Sequence, residues 1–134
     1  MTVSDDIETL LKLSSVAVLG CSPKADRPSH QIAAYLMESG FRVIPVNPGC
    51  SEILGEVCYP DLASIPEAVD VVNVFRRKDA LFDAAEQAVA KGAKGVWFQD
   101  GLRDPAAEAL ARKAGLTVVA DDCIMRQHLS RFGR

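Results

Sequence analysis

The usual signposts of function are sparse in this sequence of 134 residues. Its four cysteines, Cys21, Cys50, Cys58 and Cys123, form no CxxC pair and have no histidine at metal-ligand spacing. That pattern excludes a paired-cysteine zinc site and, without export, argues against a disulfide framework; reduced thiols in a cytoplasmic protein are expected. Met1 to Asp6 is polar and acidic, with neither the basic start nor the apolar core of a signal peptide. No apolar run approaches the roughly 20 residues that cross a bilayer, so no membrane contact is expected. Positive charge is not in excess either. The net charge of -3 gives no overall pull toward nucleic acid, and any anion site must come from local clustering. Histidine is scarce: His30 and His128 have no nucleophile or orienting carboxylate beside them in sequence, which predicts surface or packing roles.

What is present is an ordinary globular composition, 49% hydrophobic and 25% charged. It suits one domain over residues 1–134, with a core of about 15–123, an N-terminal helix over about 4–12 and a basic tail at 124–134. Short apolar runs alternate with helical patterns. Strands are predicted at Ser15–Leu19, Arg42–Val46, Val71–Phe75, Gly95–Phe98 and Leu116–Val119. Most are continuously apolar, as parallel strands covered on both faces are; Arg42–Val46 is weaker because it contains Pro45. Helices are predicted from a Ser4 cap, over Ser29–Ser39, over Asp79–Lys91 from an Asp79 cap, and over Asp104–Ala114 from an Asp104 cap. A glycine follows each of the last three, the turn from helix to strand of a doubly wound sheet. The stretch Pro48–Pro66 is expected to cross over with a short strand near Val57–Tyr59. The fold class is therefore α/β: a Rossmann-like, doubly wound, five-stranded parallel sheet with helices on both faces and strand order near 3-2-1-4-5.

In such a sheet ligands bind beyond the carboxyl ends of the strands. Four stretches meet there: Gly20–Ser29, Asn47–Pro48, Phe75–Lys78 and Gln99–Gly101. Gly20 permits a tight turn, Ser22 and Ser29 offer hydroxyls, and the free N–H groups of the following helix favour a phosphate. Lys24 and Arg27, with the basic run Arg76, Arg77 and Lys78, add positive charge at the same end. A dinucleotide fingerprint is missing its second and third glycines, and strand two ends in Val46-Asn47-Pro48 without an acid for a ribose diol. An uncharged strand end suits a ribose without a free diol or with a phosphate nearby, such as that of coenzyme A.

The stretches "GCSPKADRPSH", "VIPVNPG", "EVCYPDLASIPEAVDVVNVFRR", "GAKGVWFQDG" and "VVADDC", in that order, closely resemble the family of small stand-alone CoA-binding proteins. That family is similar to the CoA-binding domain of the succinyl-CoA synthetase alpha subunit. The resemblance runs from Val16 to Cys123, and it is the combination of motifs that is specific. It implies coenzyme A or acyl-CoA held across the strand ends. Gly20, Cys21, Ser22, Lys24, Arg27, Pro28 and Ser29 would then surround the phosphates. Asn47 and Pro48 would flank the adenosine, with Phe75 and Arg76 beside it and Gln99 and Gly101 closing the far wall. After Cys123 many relatives have Pro where this chain has Ile124-Met125, so the family gives no guide to the tail's path.

Two functions stay open at this level. One is non-catalytic binding of CoA or acyl-CoA by a carrier, a sensor or the partner module of another enzyme. The other is an NAD(P)-binding oxidoreductase module, or a CoA-ligase component whose nucleotide-grasp and phosphohistidine parts lie on a partner chain. No catalytic residues and no metal ligands are assigned. Trp97 is expected in the core, and Asp121 and Asp122 at a turn or helix cap. Cys21, near a helix N-terminus and two cations, is expected to be the most reactive thiol if its loop is open to solvent; the alternative is a packing residue.

Overall fold

The computed structural model describes residues 2–133. Helix α1 (Val3–Leu11) is capped by Thr2 rather than Ser4. The Thr2 hydroxyl accepts the Asp5 N–H at 3.1 Å while the Asp5 carboxylate accepts the Thr2 N–H at 3.0 Å, a reciprocal capping box. Strand β1 (Ser15–Leu19), helix α2 (Pro28–Glu38) and strand β2 (Arg42–Val46) follow. Arg27 is the N-cap residue of α2 and Pro28 its first residue, so Ser29 lies inside the first turn and does not cap it.

The crossover holds a small hairpin, β3 (Glu52–Ile53) with β4 (Glu56–Val57), and Tyr59 makes an isolated parallel bridge to Val46. Next come β5 (Val71–Val74), one 3₁₀ turn at Lys78–Ala80 and α3 (Leu81–Lys91). Asp79 is inside that turn and caps nothing. The chain continues through β6 (Gly95–Phe98), α4 (Pro105–Lys113), β7 (Thr117–Val119) and α5 (Ile124–Phe132). Asp104 caps α4 as expected, accepting from the Ala106 and Ala107 amides. Residues 124–132 form a packed helix, not a tail: Ile124 is buried, and His128 Nδ1 lies 2.7 Å from the Tyr35 hydroxyl on α2.

The five longer strands make one parallel sheet in the order β2-β1-β5-β6-β7. The expected α/β class holds, but the order is 2-1-3-4-5 and not 3-2-1-4-5, because β5 pairs with β1 on the side away from β2. Pro45 gives the physical reason. Its carbonyl accepts the Tyr59 N–H at 3.1 Å on the outer side of β2, where a ring nitrogen without hydrogen costs the sheet no ladder bond. An interior β2 would lose one.

Both faces of the sheet are covered. α3 and α4 bury Leu81, Ala84, Ala88, Ala107 and Ala111 against one face. α1, α2 and α5 bury Leu10, Ile32, Leu36 and Ile124 against Val16, Val18, Val71 and Trp97 on the other. At the amino ends of the strands, Asp70 ties three of them together. Its carboxylate accepts the Ser14 and Ser15 N–H groups at 3.0 and 3.1 Å, its N–H donates to the Ser15 hydroxyl at 2.9 Å, and its carbonyl accepts from Lys94 and Gly95. The strands are pinned at that end, and the opposite end is left to the loops.

Candidate functional site

At the carboxyl ends, β1 and β5 are neighbours whose connections leave toward opposite faces of the sheet, so the switch point lies between them. A cleft of about 810 Å³ opens there. Gly20 makes it possible. It has φ +93°, and a Cβ at that position would lie 2.0 Å from the Phe75 carbonyl oxygen. Only glycine lets the loop after β1 turn this close over the end of β5.

Beyond Gly20 the loop is shaped by side chains where a dinucleotide site would use further glycines. The Ser29 hydroxyl accepts the Ser22 N–H at 2.9 Å and the Ser22 hydroxyl accepts the Lys24 N–H at 3.1 Å. His30 Nδ1 lies 2.9 Å from the Ser22 carbonyl, and Asn47 Nδ2 donates to the Cys21 carbonyl at 2.8 Å. Two histidine expectations are thereby answered: His30 braces the loop, and His128 packs under α2, where burial lowers its pKa. The first turn of α2 leaves the Ser29 and His30 amides without a partner among the described residues.

Nine of the residues expected at the site line this cleft: Gly20, Ser22, Lys24, Arg27, Pro28, Ser29, Phe75, Arg76 and Gln99. Cys21, Asn47, Pro48 and Gly101 stand outside its walls. Cys21 is fully buried, and the Asn47 side chain is spent on Cys21 and on the Gly49 N–H, 2.8 Å away. Pro48 and Gly101 are exposed, and the Gly101 N–H donates to the Asp121 carboxylate at 2.7 Å. The condition for a reactive Cys21 fails: burial, with Cys58 and Cys50 nearby, pushes the thiol up to about 12.

The walls also include Arg77 and Asp100, which the four stretches span without assigning them a contact, and Ile32, Leu102 and Cys123, which no contact was expected to involve. Arg77 was visible in the basic run, Asp100 sits between Gln99 and Gly101 in the expected corner, and Leu102 follows it. Ile32 and Cys123 carry no such signal, because each also belongs to the apolar core.

The electrostatics favour an anion. Lys24 and Arg27 have no ion-pair partner among the described residues; Arg76 has only a loose contact with Asp83 at 3.8 Å, and Arg77 one with Asp79 at 3.4 Å. The acid of the cleft is masked. Asp100 is held below the usual carboxylate range by the Arg126 guanidinium, whose nitrogens lie 2.9 and 3.0 Å from its oxygens. Arg126 also holds Asp122, and the Asp122 carbonyl accepts the Trp97 indole N–H at 2.9 Å, which fixes the start of α5 beside the cleft. Among the described residues, no group of three or more His, Cys, Asp or Glu side chains is placed to hold a metal ion, and no helix is long and apolar enough to cross a membrane.

Sheet, helices and cleft together define a Rossmann-like α/β domain with a cationic switch-point cleft. The family model described as "CoA binding domain" matches residues 14–128, and the chain belongs to that family. It is 36% identical over 121 residues to the uncharacterized protein YneT of Bacillus subtilis, covering 90% of each. A solved structure of a hypothetical protein from Pyrococcus horikoshii is 40% identical, with a TM-score of 0.91 over 97% of this chain and 92% of that one. An ADP-forming acetate–CoA ligase of Archaeoglobus fulgidus is 33% identical over 93 residues, which are 68% of this chain but only 14% of the ligase.

Proposed function

We propose that this protein binds coenzyme A or an acyl-CoA in the β1/β5 cleft, without catalysing a reaction itself, as a carrier, a sensor or the partner module of an enzyme. The observation that carries this reading is the convergence of the unpartnered Ser29 amide, at the start of α2, with Lys24, Arg27 and Arg76 on one cleft. Backbone N–H groups at a helix start and unmasked cations are what a pyrophosphate and a ribose phosphate require. Phe75 offers the adenine an apolar edge, with Gln99 on the far wall. The β2 end offers a ribose diol nothing, since the Asn47 side chain is already spent. The lack of a catalytic role is supported by the side chains that could serve. Cys21 is buried, Ser29 holds the loop, and His30 is engaged with Ser22.

Titration calorimetry with CoA, NAD and NADP tests this, with CoA expected to bind most tightly. A charge-assisted hydrogen bond is worth about 1.5–3 kcal/mol, so Arg76→Ala is expected to weaken CoA binding roughly ten-fold or more. Its affinity should also depend less on salt. Tighter binding of NAD overturns the reading.

A second reading is favoured by the acetate–CoA ligases of which this chain matches 14% and 19% of the length. The protein would then supply the CoA site to a separate catalytic chain, and ATP-dependent acyl-CoA formation would appear only when that chain is added.

A further inference from the structure

Asn73 lies in the middle of β5, the central strand of the sheet, and is completely buried. Neither Oδ1 nor Nδ2 has a hydrogen-bond partner among the described residues. Its register neighbours are Val18 on β1 and Trp97 on β6, and the Trp97 indole N–H is already given to the Asp122 carbonyl. An unpaired carboxamide in such a place costs the fold stability that a leucine of similar size would not. Fold alone therefore gives no reason for an asparagine.

Its position does. Side chains two residues apart on a strand share a face. Two residues beyond Val18, Asn73 and Trp97 come Gly20, Phe75 and Gln99, all of which line the cleft. Asn73 is thus one pleat repeat, about 7 Å, below the cleft. Above it the cleft passes between the first turn of α2, at Ser29 and Ile32, and the start of α5 at Cys123.

We propose that Asn73 is a specificity-determining contact for the arm of the cleft ligand, reading an amide-bearing chain that descends between the starts of α2 and α5. A carboxamide donates through Nδ2 and accepts through Oδ1. Its complement is a chain that carries both a carbonyl and an N–H, as the pantetheine arm of CoA does. Aliphatic stretches of such an arm would lie against Ile32, Phe75 and Cys123. This assignment rests on the CoA reading above and adds to it that the site recognises the arm as well as the nucleotide.

The test compares CoA with adenosine bisphosphate, which lacks the arm, by calorimetry on wild type and Asn73→Leu. The expected result is a loss of roughly five- to ten-fold in CoA affinity with adenosine bisphosphate unchanged, together with a higher melting temperature for the free variant. A general distortion of the cleft would weaken both ligands alike, and that outcome overturns the assignment. So does unchanged CoA affinity in the folded variant, which would leave Asn73 satisfied by a buried water only. If wild type binds neither compound, the CoA reading falls and this inference with it. A second measurement needs no variant: the Asn73 side-chain NH₂ resonances of the ¹⁵N-labelled wild type should shift with CoA and stay in place with adenosine bisphosphate. Equal responses to the two overturn the assignment.

Discussion

The Cys21 thiol is closed off from solvent, and protonation suits it there. Burial and the neighbouring Cys58 and Cys50 thiols raise its pKa from 9.0 to about 12. A folded-state pKa above the unfolded value means that the stability gained by keeping the thiol protonated is fully present below about pH 9. It is lost as the pH rises toward 12. Alkylation of the native protein at mild pH, mapped cysteine by cysteine, is expected to label half-buried Cys50 first and to leave Cys21 untouched until urea unfolds the chain. Native labelling of Cys21 ahead of Cys50 would contradict the burial. Proximity in sequence to Lys24 and Arg27 suggested the opposite, because a charge count along the chain carries no information about which side of a turn a short side chain takes.

Among the elements, α5 does the most for the cleft and was the least visible beforehand. Its Arg126 covers Asp100, the acid among the cleft's walls. Arg126→Ala leaves that carboxylate bare beside the cationic loop. CoA affinity is expected to fall a few-fold at low ionic strength, with most of the difference removed by about 1 M salt, where charges are screened beyond some 3 Å. Calorimetry at two salt concentrations reads this, and a salt-independent loss would mean that α5 itself has shifted. The strands, the helix-ending glycines and the Asp104 cap were legible because each is a local pattern. The expected strand order was wrong although Pro45 argued against it: a residue without an N–H belongs on an edge, and strand two is interior in the order 3-2-1-4-5. The fold of residues 124–132 was not legible, since a basic composition hides the single buried Ile124 and the Tyr35–His128 contact that hold the helix down. The helix expected to begin at Ser29 begins one residue earlier, because Pro28 takes the first helical position, and the serine hydroxyl is left to the loop.

At the scale of the whole molecule, the sheet has one clamped end and one end that opens into the cleft. Asp70 serves the clamp. Burial alone would raise its pKa, but the Ser15 and Ser14 amides and Lys94 outweigh that and hold it below the usual carboxylate value. With the folded pKa depressed, its contribution is present above about pH 4 and fades as the pH falls through the folded value. Asp70→Ala is expected to cost about 1.5–3 kcal/mol at neutral pH. In urea melts the gap from wild type should narrow in acid, while CoA affinity at neutral pH stays as it was because the clamp lies at the far end of the sheet. A large loss of CoA affinity in the folded variant would show that the two ends are coupled.

The close approach of Gly20 to the Phe75 carbonyl has a consequence for ancestry and descent. The same missing methyl group serves the joining of two strands and the opening of the cleft, so selection sees one position where there are two tasks. A descendant that had abandoned its ligand would still be forced to keep this glycine in order to fold. The exposed residues from Pro23 to Asp26 would drift freely in such a lineage, and so would Arg27 and Arg76 once no phosphate needed them. Across homologues, then, retention of Gly20 records a shared architecture, and it is the persistence of the cations around it that would record a shared ligand.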